Sequence, residues 1–80
     1  MQKPIFRVFV KYNIRKGTAS KGKNGVIDTF ALTDNIKTIE RDEEIHNRIC
    51  YLNKKKLEKV VITITDVEVE DQYGFTTDRF

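Results

Sequence analysis

The sequence predicts an α+β domain: a small antiparallel or mixed three-stranded sheet, one helix packed on one face, order ββαβ. Three observations predict it. Apolar side chains alternate with period two in residues 4–14, and again from Val60 to Glu70. Between these runs Ile45, Ile49 and Leu52 recur at helical spacing behind an acidic cluster. With 80 residues and 39% hydrophobic side chains, the chain makes one domain with a thin core. A large enclosed substrate pocket is not expected at that size.

The first strand reads Pro-Ile-Phe-Arg-Val-Phe-Val-Lys-Tyr-Asn-Ile over residues 4–14. Phe6, Val8, Val10 and Tyr12 share the better core face, and Phe9 lies opposite with no cover in prospect. Pro4 suits a strand start, where its missing donor costs least. Residues 15–25 are polar, basic and rich in glycine, and Asn24-Gly25 is a strong turn signal because both residues tolerate positive φ. The next run, Val26–Thr33, is expected to return antiparallel with Val26, Phe30 and Leu32 inward.

A helix is expected to begin between Thr38 and Asp42 and to end near Asn53, with Thr38 or Asp42 as its cap. Glu40, Asp42, Glu43 and Glu44 sit in its first turns, and Lys54, Lys55 and Lys56 follow its last. Both placements complement the helix dipole. Ile45, Ile49 and Leu52 form the apolar stripe, with Ile39 bracing the entry. The third strand starts near Lys59. Val60, Ile62 and Ile64 share one phase, whereas Val67 and Val69 fall in the other phase with Val61. A bulge near Thr65-Asp66 would switch faces; without one, those valines join Phe9 on an open surface. Residues 1–70 are read as the domain and 71–80 as an acidic-aromatic tail. Strand one is preferred at the centre because its inward face is the most continuously apolar, which leaves both sheet edges available to a partner.

The quoted segments resemble a loose class of very small phage and mobile-element accessory proteins. The resemblance rests on a hairpin ending in Asn-Gly-Val-Ile, an Ile-Lys-Thr-Ile-Glu lead into an acidic helix, and a Lys-Val-Val-Ile-Thr-Ile strand, and it spans roughly residues 5–67. Proteins of that sort have mostly unknown functions, and some bind and inhibit host factors or defence systems. The resemblance implies a binding role and carries no active-site residue.

The net charge of +3 conceals segregation: residues 1–30 balance at +6, 31–50 at −2, 51–60 at +3 and 61–80 at −4. Such blocks polarise a surface and steer charged partners. Cys50 is the single cysteine, so neither an internal disulfide nor a Cys-based zinc site can form within one chain. That usage, with no signal-peptide pattern and no apolar run long enough to span a bilayer, predicts a cytoplasmic protein without membrane contact.

Chemistry-bearing residues are few. His46 lies four positions after Asp42 and four before Cys50. A lone His–Asp or Cys–His pair without an oxyanion device does not make a catalytic centre, so His46 is read as a boundary histidine and Cys50 as packing beside the stripe. Gly17, Gly22 and Gly25 lack the Gly-Lys-Ser/Thr ending of a phosphate loop. The expectation is a non-enzymatic protein without cofactor, metal or small-molecule substrate. Phe9, Val67, Val69, Tyr73, Phe75 and Phe80 are the expected protein interface, for a target or a homodimer, with Asp66, Glu68, Glu70, Asp71 and Asp78 at its rim. The alternative is nucleic-acid binding, with Arg15, Lys16, Lys21, Lys23, Lys54, Lys55 and Lys56 as candidate phosphate contacts.

Overall fold

A computed structural model describes residues 2–17 and 21–77. Its elements are β1 (Gln2–Arg15), β2 (Lys23–Ala31), α1 (Ile36–Glu40), α2 (Glu43–Leu52), a single 3-10 turn (Leu57–Lys59) and β3 (Val61–Thr77). The sheet order is β2-β1-β3 with both pairings antiparallel. The preferred central position of β1 is therefore observed. At roughly 3.3 Å per residue, the fourteen residues of β1 account for the 46 Å long axis of the molecule.

The expected single helix is two helices, and the ββαβ order gives way to two strands, two α-helices, a 3-10 turn and a strand. The break has a local cause. Asn35 caps α1 by accepting the Thr38 N–H at 3.1 Å, and Asp42 caps α2 by accepting the Glu44 N–H at 2.9 Å. Asp42 is extended (φ −69°, ψ 110°), so its carboxylate takes an N–H that a continuous helix would point at a carbonyl. Thr38, the other expected cap, lies inside α1.

Ile39 from α1 and Ile45 and Ile49 from α2 are almost fully buried against Val8, Val10, Tyr12 and Ile14 of β1. Removing an aliphatic side chain of that size from water contributes about 1.5–3 kcal/mol. Leu52, expected in the stripe, is 60% exposed, and Cys50 is buried beside Ile49 instead.

The face assigned to β2 is reversed. Phe6 pairs with Ala31, Val8 with Thr29 and Val10 with Ile27, so Ile27, Thr29 and Ala31 face the helices while Val26, Phe30 and Leu32 are exposed. A shift of one residue exchanges every side chain between faces, and the Val26-Ile27 pair leaves that phase ambiguous in the sequence. Asn24-Gly25 is not the turn; it lies within β2, opposite Asn13 and Tyr12. Positive φ occurs instead at Gly17 (76°) and Gly22 (75°), which flank the connection. Gly25 is required for another reason. A Cβ there would collide with the Tyr12 hydroxyl, so the glycine makes room for the tyrosine ring.

β3 carries the face switch that alternation alone left open. Lys11 pairs with Asp66 but Tyr12 pairs with Ile64, so Thr65 is the extra residue of a bulge. The Val67 N–H donates to Asp66 Oδ1 at 3.0 Å beside it. Ile62 and Ile64 before the bulge, and Val67 and Val69 after it, consequently share the helix-covered face. Residues 71–77 are not a separate tail, because Gln72 through Thr77 pair with Phe6 through Gln2 of β1.

Candidate functional site

The expected interface residues do not form one surface. Val67 is only 7% exposed and Val69 packs against the same core, so neither is available on the open face. The bulge at Thr65 is the reason. Phe9 does lie on that face, partly covered by the Arg7 guanidinium 5.2 Å from its ring centroid. Arg7 donates through Nε and Nη2 to the two carboxylate oxygens of Asp28 at 3.1 and 2.6 Å, with Glu70 3.9 Å from Nη1. This fork holds the Asp28 carboxyl below the usual aspartate range. Tyr73 meets Phe30 with centroids 5.2 Å apart. Phe75 is exposed near the far end of β3, opposite Pro4, and Phe80 lies outside the described residues. The middle of the open face is thus occupied by its own ion pair.

The cationic candidates divide as well. Arg15, Lys16, Lys23 and Lys55 border one concavity at the hairpin end of the sheet; Lys21, Lys54 and Lys56 do not line it. The His46 and Cys50 pairings do not assemble. His46 Nε2 donates to the Glu40 carbonyl at 2.9 Å, joining α2 to the end of α1. Burial pushes the Cys50 thiol pKa up, opposite to the shift that produces a reactive thiolate. Among the described residues, no group of three or more His, Cys, Asp or Glu side chains is arranged to hold a metal ion. No helix among them is long and apolar enough to cross a membrane.

An extended surface feature runs along the free edge of β2, where only β1 pairs on the other side. Two concavities adjoin there. The first, about 530 Å³, is bordered by Ile27, Asp28 and Thr29 of β2 and by Arg48, Tyr51 and Leu52 of α2. The second, about 690 Å³, continues past Phe30, Ala31, Leu32 and Thr33. Consecutive residues of both side-chain phases line the first, which follows the strand's edge; the second also takes in Ile5 of β1 and Tyr73 and Thr76 of β3. Glu44 and Arg48 border both concavities and divide them. Arg48 Nη1 donates to Thr29 Oγ1 at 2.6 Å and Nη2 donates to Glu44 Oε1 at 3.1 Å, which ties α2 to the edge strand. Tyr51 is 84% exposed above this trough.

Sequence reasoning named the edges and, of the residues lining these concavities, only Tyr73 as a site residue, which borders the second. The available signal was Leu52 followed through the helical phase: Tyr51 and Leu52 end α2 with apolar groups outside the buried Ile45–Ile49 line. Comparison with protein-family models, curated proteins and solved structures gave no match.

Proposed function

We propose that this protein is a protein-interaction module that receives an extended segment of another protein along the free edge of β2. The observation that carries the reading is the trough itself, which runs between α2 and the edge of β2 from Ile27 to Ala31 and opens past Leu32 and Thr33 toward Tyr73. The five strand residues 27–31 span roughly 16 Å, enough to pair with a short extended segment. Unpaired backbone N–H and C=O groups of an edge strand supply the hydrogen bonds, and side-chain contacts supply selectivity. Tyr51 and Leu52 offer apolar contact in the first concavity, while Arg48 and Glu44 provide a polar divider. In the setting implied by the phage-type resemblance, strand addition would serve to hold and inhibit a host or defence protein.

The test is selection from a displayed library of random peptides, followed by amide hydrogen exchange on the selected complex. The expected result is enrichment of peptides that slow exchange in β2, with binding lost in a Tyr51→Ala, Leu52→Ala double variant. Selected peptides that protect the open face around Phe9 instead, or that bind the double variant unchanged, overturn the reading. Light scattering on the free protein covers the remaining arm: a dimer that dissociates as peptide binds means that a second copy occupies the same edge.

A further inference from the structure

The hairpin end of the sheet holds a second site of different chemistry. Three separate parts of the chain meet around a concavity of about 310 Å³: Arg15 and Lys16 where β1 ends, Lys23 where β2 begins, and Lys55 just beyond α2. Its lining contains no aspartate or glutamate. None of these four cations joins an ion pair with a described residue, whereas Arg7 and Arg48 elsewhere both do. Four like charges gathered without a counter-charge repel one another, and an anion relieves that repulsion.

The arginine carries the more specific signal. Arg15 Nε is buried and has no hydrogen-bond partner among the described residues. Such an N–H leaves its desolvation uncompensated, so it favours an acceptor supplied from outside the chain. The other lining elements are fixed rather than adaptable. Asn53 Nδ2 donates to the Tyr12 hydroxyl at 3.1 Å and to the Ile49 carbonyl at 2.8 Å. Lys54 adopts φ 55°, and the Lys54 and Lys55 N–H groups close back on the Tyr51 and Cys50 carbonyls at 3.2 and 2.9 Å. This termination turns the chain and sets Lys55 against the sheet end. It also satisfies carbonyls at the negative pole of α2, which would otherwise oppose an anion.

We infer that Arg15, Lys16, Lys23 and Lys55 form a phosphoanion site, with the Arg15 guanidinium as the directional donor and the lysines as point charges. A planar guanidinium fits a phosphate's oxygens in a way that an ammonium does not. The shared chemistry is a phosphate group, from a free phosphoanion or from a single-stranded nucleic-acid backbone.

The experiment follows the Arg15 Nε–H resonance and the backbone amides by NMR during titration of the whole chain with inorganic phosphate, and separately with oligothymidylate. Saturable movement of the Arg15 Nε–H and of residues around Lys23 and Lys55 is expected. A response to both ligands assigns the site to the phosphate group itself. Saturation by phosphate alone assigns it to a free phosphoanion, and by the oligonucleotide alone to a backbone track. A Lys23→Gln, Lys55→Gln double variant, with its spectrum still dispersed as for the folded protein, should bind about tenfold more weakly. An Arg15 Nε–H signal that neither ligand moves, or that chloride of equal ionic strength moves as far, overturns the site. Unaltered affinity in the double variant does so too. Neither result bears on the trough along residues 27–33, which none of these four residues lines.

Discussion

The two faces of one sheet differ in what their alternating side chains meet. On the covered face, Val8, Val10, Tyr12 and Ile14 of β1 lie under three helical isoleucines and are nearly inaccessible. On the open face, the intervening residues meet polar neighbours instead: Asp28 and Glu70 flank Arg7, Arg7 lies over the Phe9 ring, and Lys11 sits opposite Asp66. The same strand thus contributes apolar burial to one layer and charge pairing to the other. Stability should therefore reside overwhelmingly on one side.

The largest expected effect is at Ile49. Ile49→Ala removes a fully buried side chain from the middle of that layer and should cost about 2–5 kcal/mol, read as a lower urea midpoint. Phe9→Ala, on the open face, should cost about 1 kcal/mol from partial burial alone. Equal losses would break the distinction between the faces. Gly25→Ala comes next, because its Cβ must displace the Tyr12 ring from the covered layer; a loss of about 1–3 kcal/mol is expected. Gly74→Ala is the control, since a Cβ at Gly74 meets nothing within 4 Å.

Lys54→Gly tests the join between the layers. Lys54 holds positive φ where glycine carries no Cβ penalty, so the variant should gain about 0.5–1 kcal/mol in the same titration. The smallest effect belongs to the open face. Asp28 has its pKa lowered in the folded state, so its pairing with Arg7 contributes stability above the ordinary aspartate range. That contribution disappears as pH falls through that range to the lower folded value, because the unfolded chain takes up the proton first. The urea midpoints of the parent protein and Asp28→Asn should therefore converge from about pH 7 toward about pH 2, and the gap at neutral pH should shrink with added salt. A gap that persists in acid would mean that Asp28 acts through something other than its charge.

These contrasts show how far alternation can be read. Phe6, Val8, Val10 and Tyr12 were legible because four apolar groups in one phase outweigh Phe9 alone in the other. β2 was not, because Val26, Phe30 and Leu32 compete with Ile27, Thr29 and Ala31 on nearly equal terms. The larger set by volume is the exposed one. What decided the phase was the register with β1, in which Gly25 comes opposite Tyr12 and accommodates its ring. Among the candidate site residues, the lysine-rich segments could be named but not sorted. Lys23 and Lys55 are 32 positions apart and meet only because α2 ends where the β1–β2 hairpin begins.

Local chemistry determined the rest directly. Period-two and helical repeats, the Asp42 cap and the acidic-then-basic run specified strands and a helical segment, since each depends on residues a few positions apart. Tertiary structure decided which phase of β2 is buried, where β3 changes face, and that residues 71–77 extend a strand. It also decided that a groove lies between α2 and the β2 edge. Each of those depends on pairing between distant segments, whose register is set by packing across the whole sheet and not by any one stretch of sequence.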